Sequence, residues 1–559
     1  MSSMPLPSAL DARTQAFPIL TAAQINRARP YGKVRKVQPG EILFEPGDTQ
    51  MPFFVLLSGS MEIVQPGLSG EREIVNHGPG EFTGELTMIS GQRSLVRGRV
   101  TAPGEVLEIS SEGLRSLIAK DAELSEVLMR AFILRRLALV SRGLGNVILM
   151  GSRHSAGTLR LREFLSRNGY PYTYVDLDTD NTSQQLLDRF TVKLEEVPVL
   201  ICNGRAVLRN PTTQELADCL GLNANIDNLR VLDLAIVGAG PAGLAAAVYA
   251  ASEGLDVLVI ETESPGGQAG SSSKIENYLG FPTGISGQEL ASRAITQAQK
   301  FGARMLVARS VVRLDCKKPL YEIVLDDGRV LRARAIVIAT GAQYNKPAIF
   351  NLSQFEGQGV YYGATHIESQ LCEKQDVVVV GGGNSAGQAA VFLSQTARKV
   401  HMLVRSGGLA ESMSRYLIQR IAENPALDLH YNTEIVSLDG NHQLRRVVWT
   451  DKRTGETSGH EVRHVFIMTG ASPRTEWLKG CLALDNKGFI LTGRDLELQG
   501  DSVAAFPWPL ARPPLMLETS HPRVFAVGDV RSGSVKRVAS AVGEGAIAIH
   551  LVHRALAEA

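Results

Sequence analysis

The chain has 559 residues, 44% of them apolar, and a formal net charge of +1. At about 100–200 residues per domain, this length predicts three or four domains. The balanced charge argues against a nucleic-acid-binding surface, and no apolar run approaches the ~20 residues of a membrane span. The first twenty residues lack a secretory signal, and the five cysteines are scattered without a C-x-x-C pair. We therefore expect a cytoplasmic protein with no membrane segment and no disulfide scaffold.

Residues Gly32 to Ile109 alternate short apolar strands with glycine turns, which predicts a small β-roll. Within it, the segment Gly80–Leu86, followed by Gly91–Ser94, resembles the phosphate-binding cassette of the cyclic nucleotide-binding domain family. The resemblance implies a cyclic nucleotide effector. Ser94, after the phosphate arginine, is compatible with both cAMP and cGMP, and we favour cAMP. The cassette residues that would hold it are Gly84, Glu85, Leu86, Arg93 and Ser94. Backbone N–H groups can cradle the phosphate, and an arginine fork can neutralise it. The alternative is a degenerate roll that binds no ligand.

Residues 121–144 have apolar side chains at helical spacing, which predicts a long helix after the roll. In the resembled family, such a helix closes over the base and carries the signal onward. Transcription-factor relatives continue with a helix-turn-helix, whereas here a strand begins at Asn146. The sequence therefore disfavours a DNA-binding function.

Residues 145–225 read as a compact α/β unit that resembles the thioredoxin/glutaredoxin fold. Pro198 occupies the place of that family's cis-proline. The usual C-x-x-C slot instead reads Ser152-Arg153-His154-Ser155, and neither serine can form a thiolate. We expect this unit to dock or relay to a protein electron acceptor rather than to exchange dithiols. Cys202, close after Pro198, is expected to be a buried structural cysteine.

An apolar strand ending at Val237 runs into a G-x-G-x-x-G turn, an alanine-rich helix and a second strand that ends in Glu261. The three glycines of such a turn make the tight bend, admit a pyrophosphate to the backbone, and pack helix on strand. The helix N-terminus favours the phosphates, and the acid suits a ribose hydroxyl. Strand, turn, helix and acid together predict a dinucleotide site.

From Val231 to the end, the chain resembles the low-molecular-weight thioredoxin reductase family, with its motifs in the family's order. The resemblance implies FAD contacts from residues spread over the chain: Gly238, Gly240, Pro241, Ala242, Gly243, Glu261, Gly267, Gln268, Asn277, Thr340, Gly341, Gly528, Asp529, Arg537, Val538 and Ala539. A second strand–glycine–helix joint implies an NADPH site formed by Gly381, Gly383, Asn384, Ser385, Ala386 and Arg405. Arg405 favours NADPH over NADH, because NADH sites usually place an acid at that strand end.

The chain departs from this family at its redox disulfide. Where the family has a phrase like Y-C-A-T-C, this sequence reads Tyr362-Gly363-Ala364-Thr365-His366, so both sulfurs are absent. Two nearby residues are catalytic candidates. His366 can act as a proton donor beside the flavin, and Cys372 can contact the substrate. Their alternatives are space filling for His366 and a buried cysteine for Cys372. Residues 496–516 are rich in proline and are expected to form an insertion.

We therefore expect a multidomain fold: a β-roll cyclic nucleotide-binding domain with its helix (1–144), an α/β thioredoxin-like domain (145–225), and two Rossmann-like three-layer ββα domains. These last two would bind FAD (230–350 and 476–559) and NAD(P)H (351–475). The predicted function is a cyclic-nucleotide-regulated FAD enzyme that passes hydride from NADPH to an unknown acceptor. The alternative is a redox sensor or scaffold with negligible turnover. No metal is expected, and both resembled families commonly form homodimers.

Overall fold

A computed structural model describes residues 15–558 except for short gaps. The residues outside the description within that range are 49–50, 68–69, 85–86, 91–92, 142–146, 179–195, 203–205, 224–229, 273, 317–319, 357, 365, 411–412, 442, 470 and 499–507. The chain divides into two compact units. The first comprises Met1–Arg153, Phe164–Ile226 and Thr296–Ala308, and the second comprises His154–Glu163, Asp227–Ile295 and Arg309–Ala559.

The N-terminal part of the first unit is an antiparallel β-roll whose ends coincide with those that the sequence predicts. Its elements are α1 (Ala22–Ala28), β1 (Gly32–Val37), β2 (Ile42–Phe44), β3 (Phe53–Leu56), β4 (Ser60–Gly67), β5 (Gly70–His77), α2 (Thr87–Ser90), β6 (Arg97–Ala102), β7 (Gly104–Ile109), α3 (Ser111–Lys120) and α4 (Ala122–Ser141). The strands form two sheets, ordered β1-β7-β3 and β2-β6-β4-β5. Three buried phenylalanines, Phe53, Phe82 and Phe132, pack edge to face or tilted where the roll meets α4. Aromatic pairs in this geometry stabilise a core beyond their buried area, so they fix α4 on the roll.

The rest of the first unit contains a four-stranded sheet ordered β11-β10-β8-β9. The elements of this segment are β8 (Val147–Gly151), α5 (Ala156–Arg167), β9 (Thr173–Asp176), β10 (Val199–Cys202), β11 (Ala206–Arg209) and α6 (Thr213–Leu220). β8 and β9 are parallel, whereas β10 is antiparallel to both β8 and β11. The Val197–Pro198 peptide is cis, as expected for Pro198. The helix predicted near Ser183–Arg189 lies outside the described residues.

The second unit contains a sheet ordered β13-β12-β17-β16-β15, in which β28 also pairs with β17. In chain order, the elements of this stretch are β12 (Val231–Val237), α7 (Pro241–Ser252), β13 (Val257–Glu261), α8 (Gly267–Gly270), α9 (Gly287–Lys300), β14 (Arg304–Val307), β15 (Val311–Asp315), β16 (Tyr321–Leu325), β17 (Val330–Ile338) and β18 (Ala342–Tyr344). Of these, β14 belongs to the first unit. The C-terminal part adds α13 (Asp495–Leu498), β28 (Val524–Ala526) and α14 (Val538–Ala557). β12, β13, β17 and β28 run parallel, so their carboxyl ends meet at one edge. Binding sites of open parallel sheets lie at that edge.

A second parallel sheet is ordered β19-β26-β20-β21-β22. Its strands lie in the sequence between the two stretches of chain that form the first sheet. The elements of this inserted domain are β19 (Val360–Tyr361), α10 (His366–Leu371), β20 (Asp376–Val380), α11 (Asn384–Leu393), β21 (Lys399–Val404), α12 (Arg415–Ala422), β22 (Leu427–Tyr431), β23 (Thr433–Gly440), β24 (Leu444–Asp451), β25 (Thr457–His460), β26 (His464–Ile467) and β27 (Ala471–Pro473). β23, β24 and β25 form a separate antiparallel sheet. The chain therefore builds two strand–turn–helix joints of one design, at β12–α7 and β20–α11.

Four of the five cysteines form two disulfides, whereas the sequence predicts only that the cysteines do not build a disulfide scaffold. Cys202 pairs with Cys219, and Cys316 pairs with Cys481, with Cα–Cα distances of 6.7 and 5.9 Å. Folding brings the end of β10 against the last turn of α6, and sequence spacing carries no sign of that approach. Cys202 is buried, as expected, but it is not a free thiol. The pattern of cysteines therefore gives no argument for a reducing compartment.

Across the part of the chain that the structure describes, no helix combines the length and apolar character needed to cross a membrane.

Candidate nucleotide-binding and electron-transfer sites

The first glycine turn has the backbone geometry that the sequence predicts. Gly238 has φ +104°, and a Cβ there would overlap the carbonyl oxygen of Ala339. A Cβ on Gly243 would overlap the carbonyl oxygen of Gly238, so this glycine lets α7 pack onto β12. Gly240 is the N-cap of α7, and Pro241 occupies the first turn, where the missing N–H costs no hydrogen bond. Ala242 is buried in the same turn.

Gly240 differs from its two neighbours. Its φ is −72°, and a Cβ there would meet nothing closer than the Cα of Gly267, at 3.9 Å. The folded protein therefore has no steric reason for glycine at this position. A group that approaches the backbone closely, such as a pyrophosphate, supplies the reason. The turn fits the dinucleotide that the motif predicts.

Glu261 lies at the carboxyl end of β13, next to this turn. Its carboxylate accepts a hydrogen bond from the N–H of Ala239 at 2.7 Å. The carbonyl oxygen of Ala239 in turn accepts from the N–H of Gly266 at 2.7 Å. Gly267, which has φ +55°, begins α8 against Gly240. These hydrogen bonds and the contact between Gly267 and Gly240 hold the acid, the turn and the Gly266–Gly267 bend together at one edge of the sheet.

Two polar groups farther along that edge, one a buried hydroxyl and the other a half-buried carboxyl, are candidates for contact with a ligand. The hydroxyl oxygen of Thr340 is buried and has no hydrogen-bond partner among the described residues. Gly341 follows with φ +66° and open space around its Cα. Burial raises the pKa of the Asp529 carboxyl, against the opposing effect of Lys536. Buried polar groups are normally hydrogen-bonded, so this pair fits a polar ligand such as the ribityl chain of FAD.

The remaining predicted FAD residues differ in exposure. The Gln268 side chain donates to the carbonyl oxygen of Ala342. Asn277 is exposed. Arg537 is the N-cap of the 20-residue helix α14, with Val538 and Ala539 in its first turn. The N–H groups of a helix's first turn lack partners within the helix, so this end can donate hydrogen bonds to a bound ring.

Sequence reasoning missed one residue that positions this edge. The carboxylate of Glu544 accepts from the N–H of Gly528 at 2.7 Å and from Arg531 at 2.6 Å. It therefore holds the bend before Asp529, where Gly528 has φ +72°. Glu544 is the one acid of its helix and lies between two glycines among small and apolar residues, which was the available signal.

The second glycine joint has a comparable geometry. Gly381 has φ +141°, and a Cβ there would lie 2.5 Å from the carbonyl oxygen of Met468. Gly383 is the N-cap of α11, Ser385 is exposed in the first turn, and Ala386 is fully buried. The joint can thus present helix N–H groups to a phosphate.

Side chains beside this joint also fit a nucleotide. The amide oxygen of Asn384 accepts from the N–H of Ser414 at 2.8 Å. In the described part of the chain, the buried hydroxyls of Ser414 and Tyr416 have no hydrogen-bond partner. Arg405 is exposed directly after β21, where a 2′-phosphate would be read.

The phrase that replaces the family's redox disulfide lies against the FAD-site edge. A Cβ on Gly363 would be 3.6 Å from the Cβ of Ser271, in the segment that follows α8. His366 begins α10, and its side chain lies outside the described residues. The position therefore adjoins the predicted flavin site, although it carries no sulfur.

Cys372 is fully buried among the apolar side chains around β20. Burial, with a smaller contribution from Glu368, raises the pKa of its thiol well above the ordinary range. A protonated, enclosed thiol is a poor nucleophile. These observations favour the packing alternative for Cys372, while its catalytic role stays a prediction.

The predicted cyclic nucleotide site is partly described. Gly84 has φ +101°, and a Cβ there would overlap the sulfur of Met88. Glu85 and Leu86 lie outside the described residues. Ser94 is buried, and its hydroxyl donates to the carbonyl oxygen of Val96 at 2.8 Å. That bond occupies the hydroxyl with its own strand, so it favours a structural role for Ser94.

The helix α4 contacts this cassette through an arginine that sequence reasoning missed. The Arg135 guanidinium donates to the carbonyl oxygens of Phe82 and Gly84, at 3.0 and 2.8 Å. It also lies over the Phe82 ring, 4.6 Å from its centroid. An arginine on the buried face of an apolar helix was the signal for it. The contact ties α4 to the loop that would hold the phosphate.

Arg93 lies against the four-stranded α/β segment of the same unit. A Cβ on Gly221 would be 2.5 Å from the Nε of Arg93 and 2.8 Å from its Cγ and Cδ. Gly221 is the left-handed C-cap of α6. The negative end of the helix dipole favours a cation at that place. Arg93, the residue that we predict to bind the phosphate, thus contacts the segment that follows the roll.

Comparisons with known proteins match both the N-terminal β-roll and the part of the chain that contains the two glycine joints. A family model described as pyridine nucleotide-disulphide oxidoreductase matches residues 232–545, and one described as cyclic nucleotide-binding domain matches residues 34–121. Thioredoxin reductases of Streptomyces clavuligerus and Mycoplasmopsis pulmonis are 33% and 31% identical, over 58% and 57% of this chain and 94% and 95% of their own.

Two solved structures are also similar. Thioredoxin reductase of Lactococcus lactis, in its FR conformation, gives a TM-score of 0.52 at 27% identity and covers 59% of this chain and 100% of its own. That of T. acidophilum gives 0.51 at 29% identity and covers 58% and 98%. The chain belongs to the pyridine nucleotide-disulphide oxidoreductase family, as a thioredoxin reductase-like FAD- and NAD(P)H-dependent oxidoreductase that also carries a cyclic nucleotide-binding domain.

Proposed function

We propose that this protein is a cyclic-nucleotide-regulated oxidoreductase that takes reducing equivalents from NADPH through FAD to an acceptor other than an internal disulfide. The observation that carries the proposal is the contrast at the flavin edge. The phrase Tyr362–His366 contains no sulfur, yet the glycine turn, Thr340 and Asp529 retain what FAD binding needs.

When bound, FAD accepts hydride from NADPH and returns two electrons to the acceptor. The residues of this chain position the two nucleotides. The N-terminus of α7 favours the FAD pyrophosphate, Glu261 and Asp529 accept from hydroxyl groups, and Arg405 favours a 2′-phosphate. His366 is our candidate for holding a proton near the flavin, because imidazole titrates near neutral pH.

Oxygen, a quinone, a small redox protein or a disulfide bound over the flavin are the candidate acceptors. Residues 145–225 are our candidate for docking a protein acceptor. Their sheet order and the cis-Pro198 are consistent with a thioredoxin-like fold. In place of a thiol, the hydroxyl of Ser152 donates to the carboxylate of Asp178 at 2.8 Å. The slot thus offers polar groups for binding and none for exchange.

We infer that the cyclic nucleotide, with cAMP as the favoured effector, acts through Arg93. The phosphate draws the guanidinium into the cassette and withdraws it from Gly221 at the end of α6. The ligand then favours the state in which that contact is broken. Regulation requires this difference in affinity between two states, since tight binding alone shifts nothing. Cyclic nucleotide binding would thereby raise the fraction of molecules in the state that can transfer hydride.

The test is NADPH oxidation by the FAD-loaded full chain in air, without a disulfide acceptor, with and without cAMP. Turnover that depends on cAMP in the wild type and not in Arg93→Ala supports the proposal. With oxygen as the acceptor, NADPH, a proton and O₂ give NADP⁺ and hydrogen peroxide, which is assayed separately.

An anaerobic arm distinguishes the remaining outcomes. Bleaching of the flavin by NADPH under nitrogen, without turnover in air, supports an oxidoreductase whose acceptor is a dedicated protein. Absence of bleaching contradicts the proposal and favours the sensor or scaffold alternative. Turnover that cAMP does not change contradicts regulation and leaves the oxidoreductase reading in place.

A further inference from the structure

The NAD(P)H-binding domain contains a cluster of imidazole and carboxylate groups that the proposed function does not use. His401 lies on β21, and Asp428 and His430 lie on the neighbouring strand β22. His401 and Asp428 are register partners in the parallel pair. His430 follows Asp428 by two residues, so the three side chains share one face of the sheet.

The three ligand atoms form a compact triangle. The Nδ1 of His401 is 3.2 Å from the Nε2 of His430, and each nitrogen is 3.7 Å from the Oδ2 of Asp428. A point equidistant from the three atoms lies about 2.1 Å from each, which is the usual Zn–N and Zn–O distance. A single ion can therefore contact all three groups with little movement of the side chains.

The surroundings of the triangle are half-enclosed. The buried ring of Trp449 lies 5.6 Å from the rings of both His401 and His430, measured between centroids. His460 stacks on Trp449 with centroids 3.6 Å apart, and its ring centroid lies 6.3 Å from that of His401. The side chain of Asp428 is 46% exposed, so an ion can enter from solvent on that side. Lys399 lies 3.9 Å from the same carboxylate and is the cation that an entering ion would replace.

We propose that His401, Asp428 and His430 form a binding site for a divalent transition-metal ion, with Zn²⁺ as the best match. Two imidazoles and one carboxylate suit zinc, copper, iron or nickel, whereas calcium and magnesium prefer oxygen ligands alone. Three protein ligands leave a fourth position for water. The ion links the edge strand β22 to β21, the strand that leads into Arg405.

The competing explanation is a plain hydrogen bond between two neutral imidazoles. At 3.2 Å, one ring nitrogen can donate to the other without any ion. Both explanations predict that the histidines stabilise the domain. Only the metal site predicts saturable zinc binding and a zinc-dependent rise in melting temperature.

The experiment uses the untagged, FAD-loaded full chain, stripped with a chelator and kept free of reductant so that the four paired cysteines do not bind metal. Equilibrium dialysis against Zn²⁺ with elemental analysis gives the stoichiometry. We expect one tightly bound zinc ion per chain and a higher melting temperature with zinc. Co²⁺ should give the visible spectrum of a four-coordinate site, without the near-ultraviolet band of a cobalt–sulfur bond.

His401→Gln and His430→Gln should each weaken zinc binding by more than about 100-fold, the upper end of the cost of losing a residue that only hydrogen-bonds to a metal ligand. Asp428→Asn, at an exposed side chain, provides a variant that does not disturb the core. The control is His553→Gln, which alters an exposed histidine paired with Glu253 in the FAD domain. Absence of saturable zinc binding in the wild type overturns the proposal. So does zinc binding that survives both His430→Gln and Asp428→Asn.

Discussion

Two motifs at the predicted FAD site differ in what they keep of the family's pattern. The turn Gly238–Gly243 keeps the backbone geometry of a dinucleotide site, with each glycine in its predicted place. The phrase Tyr362–His366 keeps its position against Ser271 but has lost both sulfurs of the family's disulfide. In the family, the first motif binds the cofactor through backbone groups, whereas the second reacts through the side chains of its two cysteines.

If our proposed function holds, cofactor binding and electron delivery are separable in this fold. Backbone recognition depends on residues most of which also build the sheet edge, so substitution of these residues, unlike substitution of Gly240, disturbs folding. Side-chain chemistry at Gly363 and His366 depends on two atoms that the fold does not need. On this proposal, the chain keeps its FAD and NADPH sites while its acceptor changes.

The largest effect is expected at the glycine turn. Gly240→Ala should leave the apoprotein's melting temperature unchanged, because the added Cβ meets no protein atom closer than 3.9 Å. FAD affinity should fall about 100-fold, which corresponds to the upper part of the 1–3 kcal/mol that overpacking costs. Flavin absorbance after titration and the melting temperature of the apoprotein measure the two quantities.

The matched variant is Gly243→Ala, whose Cβ overlaps a backbone carbonyl oxygen whether or not FAD is present. It should lower both FAD affinity and apoprotein stability. Equal behaviour of the two variants would contradict the view that only the ligand requires glycine at Gly240.

The second effect concerns the cyclic nucleotide site, where we expect a side chain, that of Arg93, to bind the phosphate. Arg93→Ala should weaken cAMP binding about 30-fold, because a hydrogen bond to a charged group contributes roughly 1.5–3 kcal/mol. Flavin content should stay normal. Calorimetric titration with cAMP is the measurement, and Arg115→Ala, an exposed arginine on α3, is the control. Unchanged affinity in Arg93→Ala would contradict the assigned ligand.

A third effect restores what the second motif has lost. The double variant Gly363→Cys/His366→Cys recreates the family's spacing, and the nearest atoms to a Cβ at Gly363 are 3.6 and 3.7 Å away. NADPH-dependent reduction of a small aromatic disulfide should rise at least about tenfold over the wild type, since thiolates become available. The single variants serve as controls and should show no gain. A double variant that forms the disulfide yet shows no gain would mean that this position no longer faces the flavin.

Much of the fold was predictable because backbone constraints are visible in sequence. The roll ends at Gly32 and Ile109 as predicted, the two glycine joints lie on parallel strands, and Pro198 is cis. Each of these features depends on local patterns of glycine, proline and alternating apolar residues. The local pattern was sufficient because the physical requirement was itself local.

Other features escaped prediction because they depend on contacts between distant segments. The Cys316–Cys481 pair joins residues 165 positions apart, and the Arg93–Gly221 contact joins a roll loop to a later helix. The His401, Asp428 and His430 cluster requires two strands to be neighbours in a particular register. Residue types alone gave no reason to connect them.

The smallest effect is expected at Cys372, the free thiol nearest in sequence to the lost disulfide. Cys372→Ala should leave NADPH oxidation within about twofold of the wild type, because a buried, protonated thiol is not a nucleophile. It should lower stability by about 1 kcal/mol through a small cavity, or roughly 2–4 °C in melting temperature. Cys372→Ser should destabilise more, since it places a hydroxyl in an apolar core. If both variants keep their turnover, electron delivery needs no cysteine in the NAD(P)H-binding domain. A tenfold loss of turnover in Cys372→Ala, with FAD content intact, would instead assign the thiol a part in the reaction.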